Sequence, residues 1–499
     1  MVSRGGDRTV TLPPLRIHAP DSEQAAVDLL AALGPSARPY AGGTGLLLTD
    51  DHRGLSDLVD VKRIPRLGTV ERRGEDLRIG AAVSLWALER SALLRCVLPE
   101  LPALLGAIAN PRVLAAGTLA GNLCLAAPRT DLTALLGALD ASVLCVGPDG
   151  ERKLAVLDLP AATGQTALVP AEILTTVVIP IPRPPSGLAW QRFTPLGWPT
   201  ASVTVLLEAT QGRVARAAVC VGAAVPRPAR RPEVEAALIG APLSELAERV
   251  GSTVAIGRME LELTSDGHGS AEYKRHLLGV LCERALGEAA VNLAGRAAQP
   301  RSGREPSHPP EAAALPSAPK LGSSASGHAN QFRLESEVNG RAVSLSVDSR
   351  ELLLDVLRAQ LGLTAAKRSC AAQECGACTV LLDGLPVSAC STLAWEACGR
   401  TVLTAEGLSG PEGLHPLQRA FIENSSVQCG YCTPGMLMSA YSLLSELDRP
   451  SPPEIRHFLR GTLCRCTGYR SIVDAIGRAA TAARGDAVPV AASREHSGG

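Results

Sequence analysis

Residues 370–390 read "CAAQECGACTVLLDGLPVSAC", a C-x4-C-x2-C-x11-C array made by Cys370, Cys375, Cys378 and Cys390. The first three spacings, with a more distant fourth cysteine, form the plant-type signature of a two-iron two-sulfur centre. Gly376 and Ala377 are small enough for the loop to close over inorganic sulfide and aim backbone N–H groups at it. Just upstream, "FRLESEVNGRAVSLSVD" (332–348) reads as two strands turning at Asn339-Gly340, the strongest short hairpin signal. The apolar stretch "SRELLLDVLRAQLGL" (349–363) follows as a helix. The array is therefore expected in a small sheet carrying one helix.

Downstream the period becomes helical, and "HPLQRAFIEN", "TPGMLMSAYSLLSEL", "SPPEIRHFLRG" and "GYRSIVDAIGRAATAA" predict four short helices from residue 415 on. Cys429 and Cys432, in "VQCGYC" (427–432), fall between the first two; Cys464 and Cys466, in "CRC", fall between the last two. If the helix pairs pack side by side, both loops meet at one end, near helix N-termini whose partial positive charge favours an anionic cluster. Spacing alone leaves zinc, a disulfide pair or a redox cluster open for this set. The one-residue gap of C-x-C is unlike the C-x2-4-C knuckles of structural zinc.

The chain of 499 residues is too long for one core and suggests roughly three units of about 150 residues. A 46% hydrophobic and 20% charged composition is that of a soluble globular protein, and no apolar run approaches the roughly 18 residues of a membrane span. Net charge is zero and no basic stripe is interleaved with aromatics, which argues against nucleic acid and anionic membranes as partners. "MVSRGGDRTVTLPP" lacks the apolar core of a secretory signal, so a cytoplasmic, reducing location is expected, in which disulfides are rare. Of fourteen cysteines, nine crowd between 370 and 466, while Cys96, Cys124, Cys145, Cys220 and Cys282 are scattered. Cys398 belongs to neither array and reads as a small buried hydrophobe. Residues 296–330, dense in Pro, Ser, Gly and Ala, cannot repay the entropy of ordering and read as a disordered linker spanning roughly 30 Å. Before it, strand-like and helix-like runs alternate in an α/β pattern.

"CGACTV", "VQCGYCTPGM" and "LCRCTGYRSIVDAI" resemble the motifs of the small, two-cluster subunit of the molybdenum hydroxylases, the xanthine oxidase and carbon monoxide dehydrogenase family. The resemblance covers about residues 332–485. It implies two [2Fe–2S] clusters: one on Cys370, Cys375, Cys378 and Cys390, nearer flavin, the other on Cys429, Cys432, Cys464 and Cys466, nearer molybdenum and held in a four-helix bundle. It also implies that Gln428 and Cys466 lie beside a molybdopterin, and that Met436, just past "CTPG", belongs to a surface facing the partner. Gln373 departs from the Gly that many members carry, so the local loop geometry is expected to differ.

In the first half, "YAGGTGLLL" (40–48) and "AAGTLAGNLCLAAPRTD" (115–131) are glycine-containing loops beside strand-like segments, and neither fits G-x-G-x-x-G. Glycine lets successive N–H groups point at a diphosphate, and Thr44, Thr118 and Asn122 can add hydroxyl and amide contacts. Both loops resemble the phosphate-binding loops of the FAD subunit of the same family, with coverage of about 14–290. That resemblance places Ala41, Gly42, Gly43, Thr44, Thr118, Gly121, Asn122 and Asp131 around FAD. "LGWPTASVTV" makes Trp198 the aromatic candidate beside the isoalloxazine, with core packing as its alternative. His268 and His276 read as structural. The five dispersed cysteines do not form the four-iron insert of the benzoyl-coenzyme-A-reducing branch.

The expected architecture is multidomain, α/β and α+β. An α+β FAD-binding domain of molybdopterin dehydrogenase type (14–180) leads to the C-terminal part of a flavin subunit (181–295). After the linker (296–330) come a β-grasp plant-type ferredoxin domain (331–408) and a four-helix [2Fe–2S] domain (409–485). The expected function is electron transfer from a large molybdopterin-binding subunit through two clusters to FAD and an acceptor (NAD, quinone, oxygen or a protein), within a dimer of heterodimers. No side chain of this chain is expected to act as acid or base. The rivals are a self-sufficient NAD(P)H-dependent flavin and iron–sulfur reductase, and a scaffold with structural zinc.

Overall fold

The computed structural model describes residues 12–48, 54–195, 197–246, 261–297, 311–312, 331–411 and 413–482. By contacts the chain forms two units. Met1–Ala109 with Leu114–Ser317 make the first, and Ala318–Gly499 with the short segment Asn110–Val113 make the second. Among the described residues no helix is long and apolar enough to cross a membrane.

The first unit opens with β1 (Arg16–His18), α1 (Glu23–Leu33), β2 (Ala37–Tyr40) and β3 (Asp57–Asp60), in which β3 pairs in parallel with both other strands. The Ser22 hydroxyl caps α1 by accepting the Ala25 N–H at 3.3 Å. Next come β4 (Thr69–Arg73) and β5 (Asp76–Gly80), then α2 (Pro111–Ala116), α3 (Leu119–Cys124) and α4 (Asp131–Ala138). The chain returns through β6 (Ser142–Gly147) and β7 (Gly150–Ala155), a small hairpin of β8 (Pro160–Ala162) and β9 (Gln165–Thr166), and β10 (Ile173–Pro180). A second antiparallel sheet holds β11 (Ser186–Phe193), β12 (Ala201–Thr210), β13 (Arg213–Gly222) and β14 (Ala229–Arg230) in that order.

The helix α5 (Ala271–Ala297) covers this second sheet, with Leu278, Cys282, Leu286 and Leu293 packed among Val203, Val205 and Leu207. It runs to Ala297, past the expected boundary at 295, and the rest of the 296–330 linker lies outside the described residues except for β15 (Glu311–Ala312). β15 pairs with β4, completing a sheet of order β15-β4-β5-β10-β6-β7. The alternation of strands and helices suggests parallel crossovers, yet only the small N-terminal sheet is parallel. Hairpins such as β6–β7 and β12–β13 make the larger sheets antiparallel, so this half is α+β.

In the second unit β16 (Gln331–Val338) and β17 (Arg341–Asp348) form the expected hairpin, with positive φ at both Asn339 and Gly340 as a type I′ turn requires. β18 (Thr379–Leu382), β19 (Leu385–Ser388) and β20 (Thr401–Leu403) complete the order β17-β16-β20-β18-β19. β16 and β20 pair in parallel at its centre, which is β-grasp topology. The helix expected over 349–363 is shorter. Leu352 is drawn into a bridge with Leu393, and the Leu353 N–H bonds the Thr392 carbonyl at 2.8 Å. Helical structure therefore starts at Leu353 and widens into a π turn over Val356–Gln360.

The bundle is α6 (Pro416–Glu423), α7 (Thr433–Glu446), α8 (Pro452–Phe458) and α9 (Arg470–Ala482), the four helices read from the sequence. His415 with Gln418, and Ser451 with Glu454, close capping boxes at α6 and α8. Met436 is a correction: it is fully buried in the bundle and cannot face a partner. Its neighbour Gly435 lies so close to the cysteine loop that a Cβ there would stand 2.1 Å from the Gly376 carbonyl oxygen. Only glycine lets α7 approach.

The same substitution at two glycines should therefore act in opposite directions. Gly435→Ala should destabilise the second unit by about 2 kcal/mol through overpacking. Gly477→Ala, inside α9 with nothing within 4 Å of its Cβ, should stabilise it by up to about 1 kcal/mol. Thermal denaturation reads both, and a Gly435→Ala protein as stable as the parent would refute the close contact.

Candidate functional site

The two glycine-containing loops of the first unit meet. Ala41, Gly42, Gly43 and Thr44 follow β2, and a Cβ on Gly42 would lie 1.7 Å from the carbonyl oxygen of Ala116, at the end of α2. Gly43 has φ +65°, which turns the loop back over Tyr40. Lys62, buried and paired with Asp60 at 3.1 Å, donates to the Ala41 carbonyl at 2.9 Å and braces the loop from below. In the second loop Thr118 caps α3, its hydroxyl oxygen accepting the Gly121 N–H at 3.0 Å, which leaves its O–H proton available to donate. Asn122 is half-buried, and its Oδ1 has no hydrogen-bond partner within the protein.

Asp131, the first residue of α4, is 4% exposed. Its Oδ2 accepts from Arg192 Nη1 at 3.3 Å, while Oδ1 makes no hydrogen bond of normal geometry. Burial pushes its carboxyl up to about 6, and the Arg192 charge only partly opposes this. The orphaned amide oxygen and under-satisfied carboxylate are acceptors that the hydroxyls of a dinucleotide would satisfy, and glycine-loop N–H groups suit its phosphates, so the residues fit FAD. Trp198 is 44% exposed, which removes core packing as its role. The described contacts do not join it to either loop.

In the second unit the loop through Cys370, Cys375 and Cys378 is curled by left-handed residues, Ala371, Gln373 and Gly376. The Ala372 and Cys375 N–H groups donate to Cys370 Sγ at 3.3 and 3.4 Å. Gln373, where glycine is common in the family, adopts φ +60° at some steric cost. Hydrogen bonds to its carbonyl from Asn110 (3.0 Å) and Arg112 (3.4 Å) offset that cost. Among the described residues no three Cys, His, Asp or Glu side chains close into a single-ion shell. The sulfurs approach in pairs instead, Cys370 with Cys375 and Cys378 with Cys390. Two pairs suit a two-iron core, each pair serving one iron. Within each pair one hydrogen bond favours a single thiolate: the bond from Cys370 holds Cys375 down and raises Cys370, and Cys378 and Cys390 are related in the same way, with the Arg112 charge also favouring the Cys378 thiolate. Thiolates are what iron binds.

The second set repeats the pattern. Cys429 and Cys466 Sγ are 3.5 Å apart, and Cys432, at the start of α7, pairs with Cys464. The Cys464 N–H donates to the Tyr469 hydroxyl at 2.9 Å, and Cys464 Sγ lies 3.2 Å from the Thr467 hydroxyl. Cys429 and Cys466 are exposed, whereas Cys378 and Cys390 are buried. The sets are tied together where the Leu463 N–H, next to Cys464, donates to the Cys375 carbonyl at 2.9 Å.

Residues 13–182 match the family described as FAD binding domain in molybdopterin dehydrogenase, and 197–289 match the CO dehydrogenase flavoprotein C-terminal domain. Residues 336–398 and 404–477 match two [2Fe–2S] cluster-binding families. The small subunit of nicotine 6-hydroxylase from Paenarthrobacter nicotinovorans is 46% identical over 147 residues, 30% of this chain and 88% of that one. The chain belongs to the molybdenum hydroxylase family. Reconstituted CO dehydrogenase from Oligotropha carboxidovorans superposes with a TM-score of 0.53 at 30% identity, over 56% of this chain and 99% of that one. Quinoline 2-oxidoreductase from Pseudomonas putida 86 does so at 0.52 and 26%, over 57% and 99%.

This molybdenum hydroxylase chain thus joins an FAD-binding part to two [2Fe–2S] domains and is an electron-transfer subunit of an oxidoreductase. A bound FAD would supply chemistry able to exchange one or two electrons, and bound clusters would supply one-electron carriers. The zinc scaffold is set aside by the two cluster-domain matches. Of the six remaining cysteines, Cys96 is exposed, Cys398 packs in the β-grasp core, and burial pushes Cys124, Cys145, Cys220 and Cys282 up to about 12. His268 joins a surface ion-pair cluster with Arg129 and Asp266, and His276 is exposed. Sequence reading missed Lys62, Arg192 and Arg112, none of which lies in a motif.

Asp131 gives this half a pH signature. An ordinary aspartate titrates near 3.8, so between about 4 and 6 the folded state holds a proton that the unfolded chain has released. Stability from this group is therefore present at low pH and lost as pH rises through about 6, by an amount on the order of 3 kcal/mol. In flavin-free protein, Asp131→Asn should flatten that segment of the Tm-versus-pH curve; an unchanged slope would show that Asp131 titrates normally.

Proposed function

We propose that Cys429, Cys432, Cys464 and Cys466 hold the cluster that receives electrons from a large molybdopterin-bearing subunit, and that Cys370, Cys375, Cys378 and Cys390 hold the cluster that passes them toward FAD. Ala41, Gly42, Gly43, Thr44, Thr118, Gly121, Asn122 and Asp131 bind the FAD, with Trp198 as the aromatic against its ring. The difference in exposure between the cysteine sets carries this reading. Cys429 and Cys466 open to the surface beside exposed Gln428, Val427, Tyr431 and Leu463, whereas no cysteine of the other set is exposed: Cys378 and Cys390 are buried and Cys370 and Cys375 half-buried. An apolar rim around a redox centre is what a permanent subunit contact covers, and such a contact buries at least about 2,000 Å².

The domain division follows the same logic: 14–180 and 181–295 for the flavin part, 296–330 as linker, 331–408 and 409–485 for the two clusters. We place the complex in a reducing cytoplasm as a dimer of heterodimers.

The chain should carry about one FAD and about four irons in two EPR-distinguishable clusters. Cys375→Ser should abolish one signal and spare the other, and Asn122→Ala should lower flavin without changing iron. Leu463, 58% exposed beside Cys464, replaces Met436 as the docking probe. Leu463→Glu should leave iron content intact yet reduce copurification of a molybdenum-containing subunit at least tenfold. Unimpaired copurification would move the contact elsewhere.

A further inference from the structure

Arg112 is among the largest fully buried side chains, 2% exposed. Its donors meet only neutral acceptors. Nε donates to Ser388 Oγ at 3.2 Å, Nη1 to Thr462 Oγ1 at 3.1 Å and Nη2 to the Gly461 carbonyl at 2.6 Å, with longer contacts to the Gln373 and Glu374 carbonyls at 3.4 and 3.5 Å. Among the described residues no carboxylate pairs with it. A guanidinium keeps its proton even when buried, and an uncompensated buried charge is costly, so this side chain requires an anion nearby.

The surrounding residues say which one. Gln373 and Glu374 form the loop between Cys370 and Cys375, Ser388 stands just before Cys390, and Gly461 and Thr462 lead into Cys464. The charges that act on the guanidinium are those of Cys378, Cys375, Cys370 and Cys390. Four thiolates and two sulfides outweigh the charge of two ferric ions, so a cluster on these cysteines is anionic, and it becomes more so on taking up one electron. No bond is made and no proton moves in that step: one ferric ion becomes ferrous, and the electron arrives from the other cluster.

We propose that Arg112 is the built-in counter-ion of the cluster on Cys370, Cys375, Cys378 and Cys390, and that its fixed charge raises that cluster's reduction potential by favouring the more negative reduced form. The inference rests on the ligand assignment proposed for these four cysteines. The same side chain braces the loop, and a brace alone predicts a different outcome from a charge.

The test is an EPR-monitored redox titration of the purified full chain. The relevant signal is first identified as the one lost in Cys375→Ser; if both signals survive that change, the ligand assignment fails, and this inference with it for a distinguishable reason. Arg112→Gln should lower the equilibrium constant for reducing this cluster at least tenfold, a shift of about 59 mV for a one-electron couple. The other cluster should stay within threefold of the parent. Arg112→Lys, which keeps the charge and loses the planar fork, should also remain within threefold. If Arg112→Gln fails to hold the cluster, Arg112→Lys decides alone: a titration within threefold of the parent supports the counter-ion, and a tenfold fall overturns it. An Arg112→Gln midpoint equal to the parent's, or equal shifts in both clusters, would likewise overturn it.

Discussion

The contact of Gly435 with the Gly376 carbonyl fixes the spacing on which electron transfer through the second unit depends. It lets α7, which begins just after Cys432, press directly on the loop that carries Cys375 and Cys378. The hydrogen bond from Leu463 to Cys375 then closes the same seam beside Cys464. Two small folds with separate cores are thereby held as one compact unit, and their cysteine sets cannot drift apart without breaking backbone contacts. A side chain at either glycine would act as a spacer, and spacing is what tunnelling between centres tolerates least.

Surroundings also separate two of the buried cluster cysteines from the buried thiols of the first unit. For the thiols in the sheet and helix cores of the first unit burial is the largest influence, and it drives them toward the neutral form. Cys375 and Cys378 are also partly or wholly enclosed, yet their partner thiols, and for Cys378 the Arg112 charge, pull them the other way. Burial in itself therefore does not decide reactivity here; the polar groups that accompany it do.

How much of this was legible in the sequence follows from contact range. The Asn339-Gly340 hairpin, the four bundle helices with their capping residues, and the placing of each cysteine pair in a helix-to-helix loop are local patterns, and each was readable. The 349–363 helix was misjudged because Leu352 answers to Leu393 across the sheet rather than to its own period. Met436 was misplaced because a motif locates a residue along a helix without saying which way it faces. Arg112 had no signal at all: its closest acceptor is Gly461, 349 positions away, and no local spacing encodes such a pairing.

That distance also explains why Gln373 can stand where a glycine is common. A left-handed non-glycine residue persists only when its surroundings over-determine it, and here two side chains from the Asn110–Val113 segment bond its carbonyl. The cluster loop is thus shaped by a segment remote in sequence, lying a short way before the flavin-loop residue Thr118. Departure from the family pattern at Gln373 and the buried charge at Arg112 are then one feature: the side chain that permits the unusual loop is the one that supplies the cation. A chain that fuses flavin and cluster parts keeps both in the same polypeptide, so the loop and its brace are always made together.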